Sequence, residues 1–326
     1  MISDMQLIYR LRSGKNPKWI YYIQNMTRYA IPQIILRNRR EKILKKAMKR
    51  PDFPYIQERV EYYNKLSEPV KLPDTSPRLA NHKFTKREKQ SVYFFDTYEF
   101  TRWFPKSLKW QHLPGDIVHV PDYPAIVKSR PLHPDNKNSV LLNLDKIRHF
   151  VFLKDTIPFS GKKNKIIFRG KAGSKPRRQQ FISKFINHPM CDVGEVGSSP
   201  NIPAEWRKPK ITLRDHLEYK FIMALEGNDV ASNLKWVMYS NSIAVMPKPT
   251  CETWFMEGKL IPDYHYIEIK EDYSDLIEKV NYYIEHENEA LEIIKHAHEY
   301  VAQFRNKKRE KLISLFVMEK YFEKTN

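Results

Sequence analysis

From Lys162 onward, short apolar runs ending in glycine or proline alternate with stretches of helical spacing, and this alternation restricts the fold more than any other feature of the chain. KIIFRG (165–170), YKFIMALEG (219–227), SIAVMP (242–247) and HYIEI (265–269) read as strands, while RRQQFISKFIN, NDVASNLKWVMYS and TWFMEGKL read as the helices between them. Strand and helix in repeated succession predict a parallel sheet with crossover helices. Beyond it, DYSDLIEKVNYYIEHENEALEIIKHAHEYVAQF predicts two amphipathic helices, the first opening with Asp272 and Asp275 where the helix dipole favours acids. KREKLISLFVMEKYFEK predicts a terminal helix.

The front half is less regular. IQERVEYYNKL (56–66) has helical spacing, SVYFFD (91–96) and DIVHV (116–120) look like strands, and the Pro-, Ser- and Asp-rich LSEPVKLPDTSPRLANHK reads as a loop. The expected division is a basic segment over 1–55, one domain over 56–158, a Rossmann-like domain over 159–305 and a terminal helix over 306–326, with the junction near DTIPFSGKKNK.

Size and charge narrow the class. A chain of 326 residues exceeds the roughly 250–300 at which single cores stop growing, and 41% hydrophobic residues suffice for packed cores. Two cysteines, Cys191 and Cys251, make neither a disulfide framework nor a zinc cluster, so a reducing cytoplasm is expected. No apolar run approaches the 18 or so residues of a membrane span, and the first residues lack the order of a secretory signal, so the expected protein is not exported.

The 57 Lys+Arg outnumber 38 Asp+Glu, a formal net charge of +19. Residues 1–50 hold 13 of the cations against Asp4 and Glu41 alone, interleaved with Trp19, Tyr21, Tyr22 and Ile34–Leu36. Such a segment suits an anionic membrane surface, and its composition would equally suit a polyphosphate or a solvated basic helix.

Open α/β sheets bind ligands beyond the carboxyl ends of their strands, which directs attention to the turns after Gly170 and Gly227. In LEGNDVASNLKW (225–236) the strand is expected to turn through Gly227, Asn228 and Asp229 into a helix whose free N–H groups favour a diphosphate. Asn233 and Lys235 lie in its first turns. The same residues would also make an ordinary turn capped by Asp229. FRGKAGSKPRR (168–178) sets Arg169, Gly170, Ser174, Arg177 and three further cations on the other turn, where two basic loops could neutralise one leaving diphosphate. GxGxxG and GxxxxGK[ST] are absent, which argues against dinucleotide oxidoreductases and P-loop NTPases.

Acid–base candidates lie mainly in the front half. Asp122 occupies a Pro-bounded turn and is followed by Lys128, Ser129 and Arg130 as candidate substrate contacts; a carboxylate there could deprotonate an acceptor hydroxyl. Asp96 and Asp145 are the other candidate bases, Glu257 could take a pair of ribose hydroxyls, and His119, His149 and His265 read as packed core histidines. No D-x-D spacing occurs, so no metal or other cofactor is expected.

The segment from Tyr219 to Leu276, with its LEGNDVASNLKW, WFMEG and HYI elements in order, together with FRG and KSRP, resembles glycosyltransferase family 90, most closely its bacterial lipopolysaccharide-core branch. The resemblance covers about residues 56–300 and implies an α/β, GT-B-like fold: two Rossmann-like domains facing a cleft, with the front domain on the acceptor side. It further implies inverting, metal-independent transfer of a hexose or pentose from a UDP-sugar to a hydroxyl; taken with the basic amino-terminal segment, the expected acceptor is a glycan or glycolipid and the expected setting is peripheral, at the cytoplasmic face of a membrane. By similarity, Arg169, Gly170, Ser174 and Arg177 match one donor loop and Gly227 to Lys235 the second. Asn233 stands where the animal members carry arginine, which shifts the expected diphosphate contact to Lys235 or to Arg177 and Arg178. Asp122-Tyr-Pro resembles the tripeptide that holds their catalytic aspartate.

Two other classes fit the composition. A basic nucleic-acid-binding protein would show strongly salt-dependent binding, and a non-catalytic glycan-binding relative would bind no UDP. The expected class is the transferase, with no nucleic-acid partner.

Overall fold

The computed structural model describes residues 13–84 and 91–326. They form two compact units, each assembled from segments distant in sequence. The helical unit comprises Pro17–Ile147, Thr250–Gly258 and Phe304–Asn326, and the sheet unit comprises residues 13–16, Arg148–Pro249 and Lys259–Gln303.

Along the chain the helical unit forms α1 (Lys18–Ala30), α2 (Gln33–Met48), α3 (Phe53–Tyr63) and α4 (Ser91–Thr101), then β1 (His112–Leu113), β2 (Ala125–Val127), β3 (Ser129–Pro131) and β4 (Ser139–Leu141). The sheet unit follows with β5 (Lys163–Gly170), α5 (Pro176–Phe185), β6 (Cys191–Glu195), β7 (Tyr219–Met223) and β8 (Ile243–Met246). β9 (Cys251–Thr253) returns to the helical unit, β10 (Ile267–Glu268), α6 (Leu276–Glu285) and α7 (Glu287–Ala302) complete the sheet unit, and α8 (Lys307–Thr325) ends the chain in the helical unit.

The sheet unit is built on five parallel strands in the order β10-β8-β7-β5-β6. Ile166, Ile167 and Phe168 of β5 and Phe221, Ile222 and Met223 of β7 are all buried, the continuous apolar run of a sheet covered on both faces. Phe181 and Ile182 of α5, Leu276 and Val280 of α6, and Ile293 of α7 join Ile166, Phe221 and Val245 in one core. Each such side chain stabilises the unit by about 1.5–3 kcal/mol. The chain enters at β5, steps to β6 on one side and then crosses to β7 on the other. That reversal leaves a crevice outside the carboxyl ends of β5 and β7, which is where the two sequence-selected turns begin.

Among the described residues the helical unit has two small sheets, parallel β1-β2-β4 and antiparallel β3-β9. Buried polar networks do much of its joining. Arg59 of α3 gives Nη2 to Glu310 of α8 at 3.1 Å and Nε to the Tyr63 hydroxyl at 2.9 Å, while the Trp254 indole donates to the same Glu310 at 2.6 Å. Tyr63 stacks on Trp254 at 3.8 Å. Burial raises the Glu310 carboxyl above its usual range in spite of the Arg59 charge.

Several expectations are corrected. SVYFFD is the start of helix α4 and not a strand: Phe94, Phe95 and Tyr98 gather in a cluster that Tyr21 and Tyr22 cover. An aromatic run this short has no period that separates strand from helix. DIVHV is likewise not a strand, because both backbone groups of Ile117 are taken by the Ser129 hydroxyl, at 3.1 and 3.0 Å, in place of a ladder partner. NDVASNLKWVMYS contains one helical turn, Leu234–Val237, and TWFMEGKL supplies the end of β9 and a 3-10 turn, Glu257–Lys259. His119 is exposed and not packed, whereas His149 and His265 are buried. Among the described residues no helix is long and apolar enough to cross a membrane.

Candidate functional site

Two turns meet at the crevice: residues 171–175 after β5 and residues 224–233 after β7. Their parallel strands are direct neighbours, with Ile166 opposite Phe221 and Ile167 opposite Ile222, so both turns leave the same edge of the sheet. Arg178, in the first turn of α5, fastens them together. Its Nη2 donates to the Leu225 carbonyl at 2.7 Å and its Nε to the Glu226 carbonyl at 2.9 Å, while Nη1 donates to the Lys171 carbonyl at 3.1 Å. Burial lowers the pKa of its guanidinium, but an arginine remains charged.

The first turn is fixed from two further directions. Gln179 donates to the Ala172 and Gly173 carbonyls at 3.1 and 2.7 Å. Glu195, buried at the end of β6, accepts the Ala172 N–H and, at 2.6 Å, the Gly197 N–H. Space is short where these pieces close in, more so at Gly170 than at Gly227. A Cβ at Gly170 would stand 2.5 Å from the Phe168 ring, and one at Gly227 would stand 3.2 Å from Arg178 Nη2 and 3.8 Å from Lys175 Cε.

The electrostatics are unusual for a helix start. α5 has proline in its first turn and no acid there, yet Lys175, Arg177 and Arg178 crowd it. Cations at the positive end of a helix dipole are disfavoured by roughly 0.3–1 kcal/mol each, and a bound anion reverses that sign. Lys171, Ser174 and Arg177 are exposed and Lys175 is half-buried. Arg177 lies 3.6 Å from both Glu226 and Glu271, which hold it beside the second turn.

The other predicted donor residues have different surroundings. Arg169 turns along the sheet to β6, giving Nη2 to Asp192 Oδ1 at 2.6 Å and Nη1 to the Asp192 carbonyl at 2.7 Å. Burial would raise the Asp192 carboxyl, but Arg169, Tyr219 and Lys208 hold it well below the usual carboxylate range. Asn233 donates to the Met223 carbonyl at 2.9 Å and so closes the end of β7. Gly227 and Asn228 form bends, Asp229 is buried beside them, and Lys235 is fully buried on the Leu234–Val237 turn. The expected helix opening directly after Asp229 is therefore corrected: the Gly227 N–H bonds to the Asp229 carbonyl at 3.2 Å, a local bend that delays the helix to Leu234. The long helix N-terminus at the crevice is that of α5.

Candidates in the helical unit separate into framework and surface. Lys128, Ser129 and Arg130 are all buried. Lys128 pairs with Asp116, and Arg130 gives Nε to Glu252 at 2.8 Å and Nη2 to the Tyr62 carbonyl at 2.8 Å. Both oxygens of Glu257 are engaged by Thr253, whose N–H lies 2.6 Å from Oε2 and whose hydroxyl lies 2.9 Å from Oε1. Asp96 is buried on α4, accepting from the Tyr21 hydroxyl at 2.8 Å, and Asp145 is buried with a positive φ of 53°. Asp122 is exposed on a bend between β1 and β2, its carbonyl accepting from Asn138 at 2.9 Å.

Sequence reasoning did not single out Gln179 or Glu195. An acid closing CDVGE and followed by Val-Gly was the available signal for Glu195, since a carboxylate at a buried strand end needs donors and a neighbouring turn supplies them.

Over 267 residues the chain is 40% identical to the O-glucosyltransferase LpsA of Dichelobacter nodosus, covering 82% of each chain. It is 30% identical over 138 residues to protein O-glucosyltransferase 3 of Rattus norvegicus and 29% identical to the human counterpart over the same length, in each case 41% of this chain and 27% of the relative. The profile of glycosyl transferase family 90 matches residues 143–321, which include both turns and the helix between them. The chain belongs to glycosyltransferase family 90.

Proposed function

We propose that this protein is an inverting, metal-independent glucosyltransferase that moves the sugar of UDP-glucose to a hydroxyl of a lipopolysaccharide or other surface glycan, at the cytoplasmic face of the cell membrane. The observation that carries the donor half is the pair of turns fastened by Arg178 at the sheet's switch point, with an acid-free, cation-rich helix start beside them. The likeness to an O-glucosyltransferase supports glucose as the sugar, and the family supports a GT-B-like plan.

In this reading the UDP diphosphate lies against residues 171–178 and 227–229. Lys171, Lys175 and Arg177 supply charge, the α5 N-terminus supplies oriented N–H groups, and Ser174 supplies a hydroxyl. The acceptor oxygen attacks the anomeric carbon from the face opposite UDP. As that bond forms, the bond from carbon to the diphosphate oxygen breaks and its electron pair leaves with UDP. Charge on the diphosphate grows toward the transition state, so fixed cations there lower the barrier. Asp122 takes the hydroxyl proton. Asp122→Asn is then expected to cut kcat by at least about a hundredfold with UDP affinity unchanged, as for loss of a general base; normal turnover would remove that assignment.

The donor reading is tested by calorimetry with UDP and by turnover of UDP-glucose in the presence of EDTA. UDP is expected to bind, EDTA to leave turnover unchanged, and Lys171→Ala/Arg177→Ala to weaken UDP at least about tenfold, since each charge-assisted hydrogen bond contributes roughly 1.5–3 kcal/mol. A folded chain that gives no heat with UDP would overturn the proposal.

A further inference from the structure

Helix α1 is docked inside out. Its polar and aromatic face points inward: the Tyr21 hydroxyl donates to Asp96 at 2.8 Å, the Tyr22 hydroxyl meets Ser91 at 2.9 Å, Asn25 is buried, and Arg28 pairs with Glu99 at 2.9 Å. The opposite stripe holds Trp19, Ile23 and Met26 at helical spacing, and they are 66%, 57% and 52% exposed. The patch continues through Ile31, Ile34 and Ile35, all exposed. An amphipathic helix normally buries its apolar stripe against the core, and a contiguous exposed patch of this kind marks an interaction surface.

The same segment is strongly cationic. Between Lys18 and Lys49 stand nine Lys+Arg and a single acid, Glu41. Past Ile35, Arg39, Lys42 and Lys46 are exposed along α2, and Lys49 is exposed just after its end. Aliphatic groups with an interfacial tryptophan, bordered by lysines, match the two layers of a lipid surface: apolar acyl chains below and anionic headgroups above. A nucleic-acid backbone would satisfy the lysines and leave Trp19, Ile23 and Ile34 in water. A second copy of the chain would cover the apolar stripe and bring two like-charged segments together.

We infer that α1 and α2 form an interfacial anchor that seats this protein on an anionic lipid bilayer, with the Trp19, Ile23, Met26 stripe entering the acyl boundary and Lys42, Lys46 and Lys49 meeting the headgroups. None of these residues belongs to the donor site, so the inference stands or falls separately from the UDP-sugar reading.

The test uses the full chain, co-sedimented at physiological salt with vesicles of phosphatidylcholine alone or with about one third phosphatidylglycerol. Sedimentation is expected with the anionic vesicles and at least about tenfold weaker partitioning onto the neutral ones. Lys42→Gln/Lys46→Gln/Lys49→Gln should lower partitioning roughly hundredfold, at about 1 kcal/mol for each cation near the surface. Trp19→Ser/Ile23→Ser/Met26→Ser should abolish it. Both variants alter exposed side chains and should keep the parent thermal midpoint and UDP affinity, which separates loss of the anchor from loss of the fold or of the donor site. Failure to sediment with anionic vesicles would overturn the inference. So would partitioning that neither variant changes, tighter salt-dependent binding to duplex DNA than to vesicles, or a dimer that the apolar triple variant dissolves.

Discussion

Arg178 shows how one side chain can serve a site without being presented to a ligand. Its donors end on carbonyls of Lys171, Leu225 and Glu226, so they set the spacing of the two turns while Lys171 and Arg177 remain exposed. Arg178→Ala is expected to lower stability by about 2–4 kcal/mol, because carbonyls that now have a charged donor lose it, and to weaken UDP binding as the turns separate. Arg178→Lys should restore part of the stability and less of the affinity, since one ammonium cannot span three acceptors in the guanidinium geometry. Thermal unfolding and calorimetry with UDP measure the two effects; unchanged values for Arg178→Ala would end this account. Arg130 is a contrasting case. Its buried pair with Glu252 lies in the β3–β9 ladder, where Arg130 stands opposite Glu252, so the basic KSRP segment is framework within its unit.

The elements differ in how far their sequence specifies them. β5 and β7 are apolar runs bounded by turn residues, and each forms a strand within the predicted run, although β7 stops at Met223, short of the expected end at Gly227. Helix α5 follows β5 as the spacing of Phe181, Ile182 and Phe185 requires. Helix α4 departs from the strand its sequence suggests because its faces are nearly all enclosed, with Asp96 and Thr97 buried beside Phe94 and Phe95, so no amphipathic period survives in its sequence. Asp96 is legible only through its neighbours, Tyr21 of α1 and the Lys146 N–H, which lies 3.1 Å from its carboxylate. Burial raises its pKa to about 6. Glu99, one turn on, is pushed the same way by burial, but Lys146 and Arg28 outweigh it and hold the carboxyl at about 2. The residues between Gly227 and Leu234 lie within the span that the family profile matches, yet a local bend and the Asn233 bond to Met223 decide their backbone, which spacing does not reveal.

For the whole molecule, histidines that folding keeps neutral are expected to set how stability falls just below pH 6.5. Burial lowers His82 to about 4 and His112 to about 3 in the helical unit, and it lowers His216 and brings His265 to about 4 in the sheet unit. The unfolded chain takes up protons near pH 6.5 that the native histidines refuse until lower pH. Stability is therefore lost as pH falls from 6.5 toward 4, by about 1.4 kcal/mol per pH unit for each fully titrating group. Asp96 acts with the opposite sign between about pH 6 and 4, where the native carboxyl binds a proton first, and it offsets one histidine. The net expectation is a denaturation midpoint that drops steeply between pH 6.5 and 5 and flattens in a His82→Gln/His112→Gln variant; urea titrations across that range check it, and a flat wild-type profile would contradict it.

The sequence alone determined the parallel sheet, the two turns at its edge, their excess of cations and the family. Those features are written in short-range periodicity, in glycines at strand ends and in charge, none of which needs a distant partner to be recognised. Tertiary structure decided which cations are presented and which are enclosed, placing Arg178 across the turns, Arg169 along Asp192, Lys235 in the interior and the apolar stripe of α1 outward. Charge in a sequence carries no direction; a side chain acquires one only when a buried acceptor, supplied by a segment far along the chain, competes with water for it.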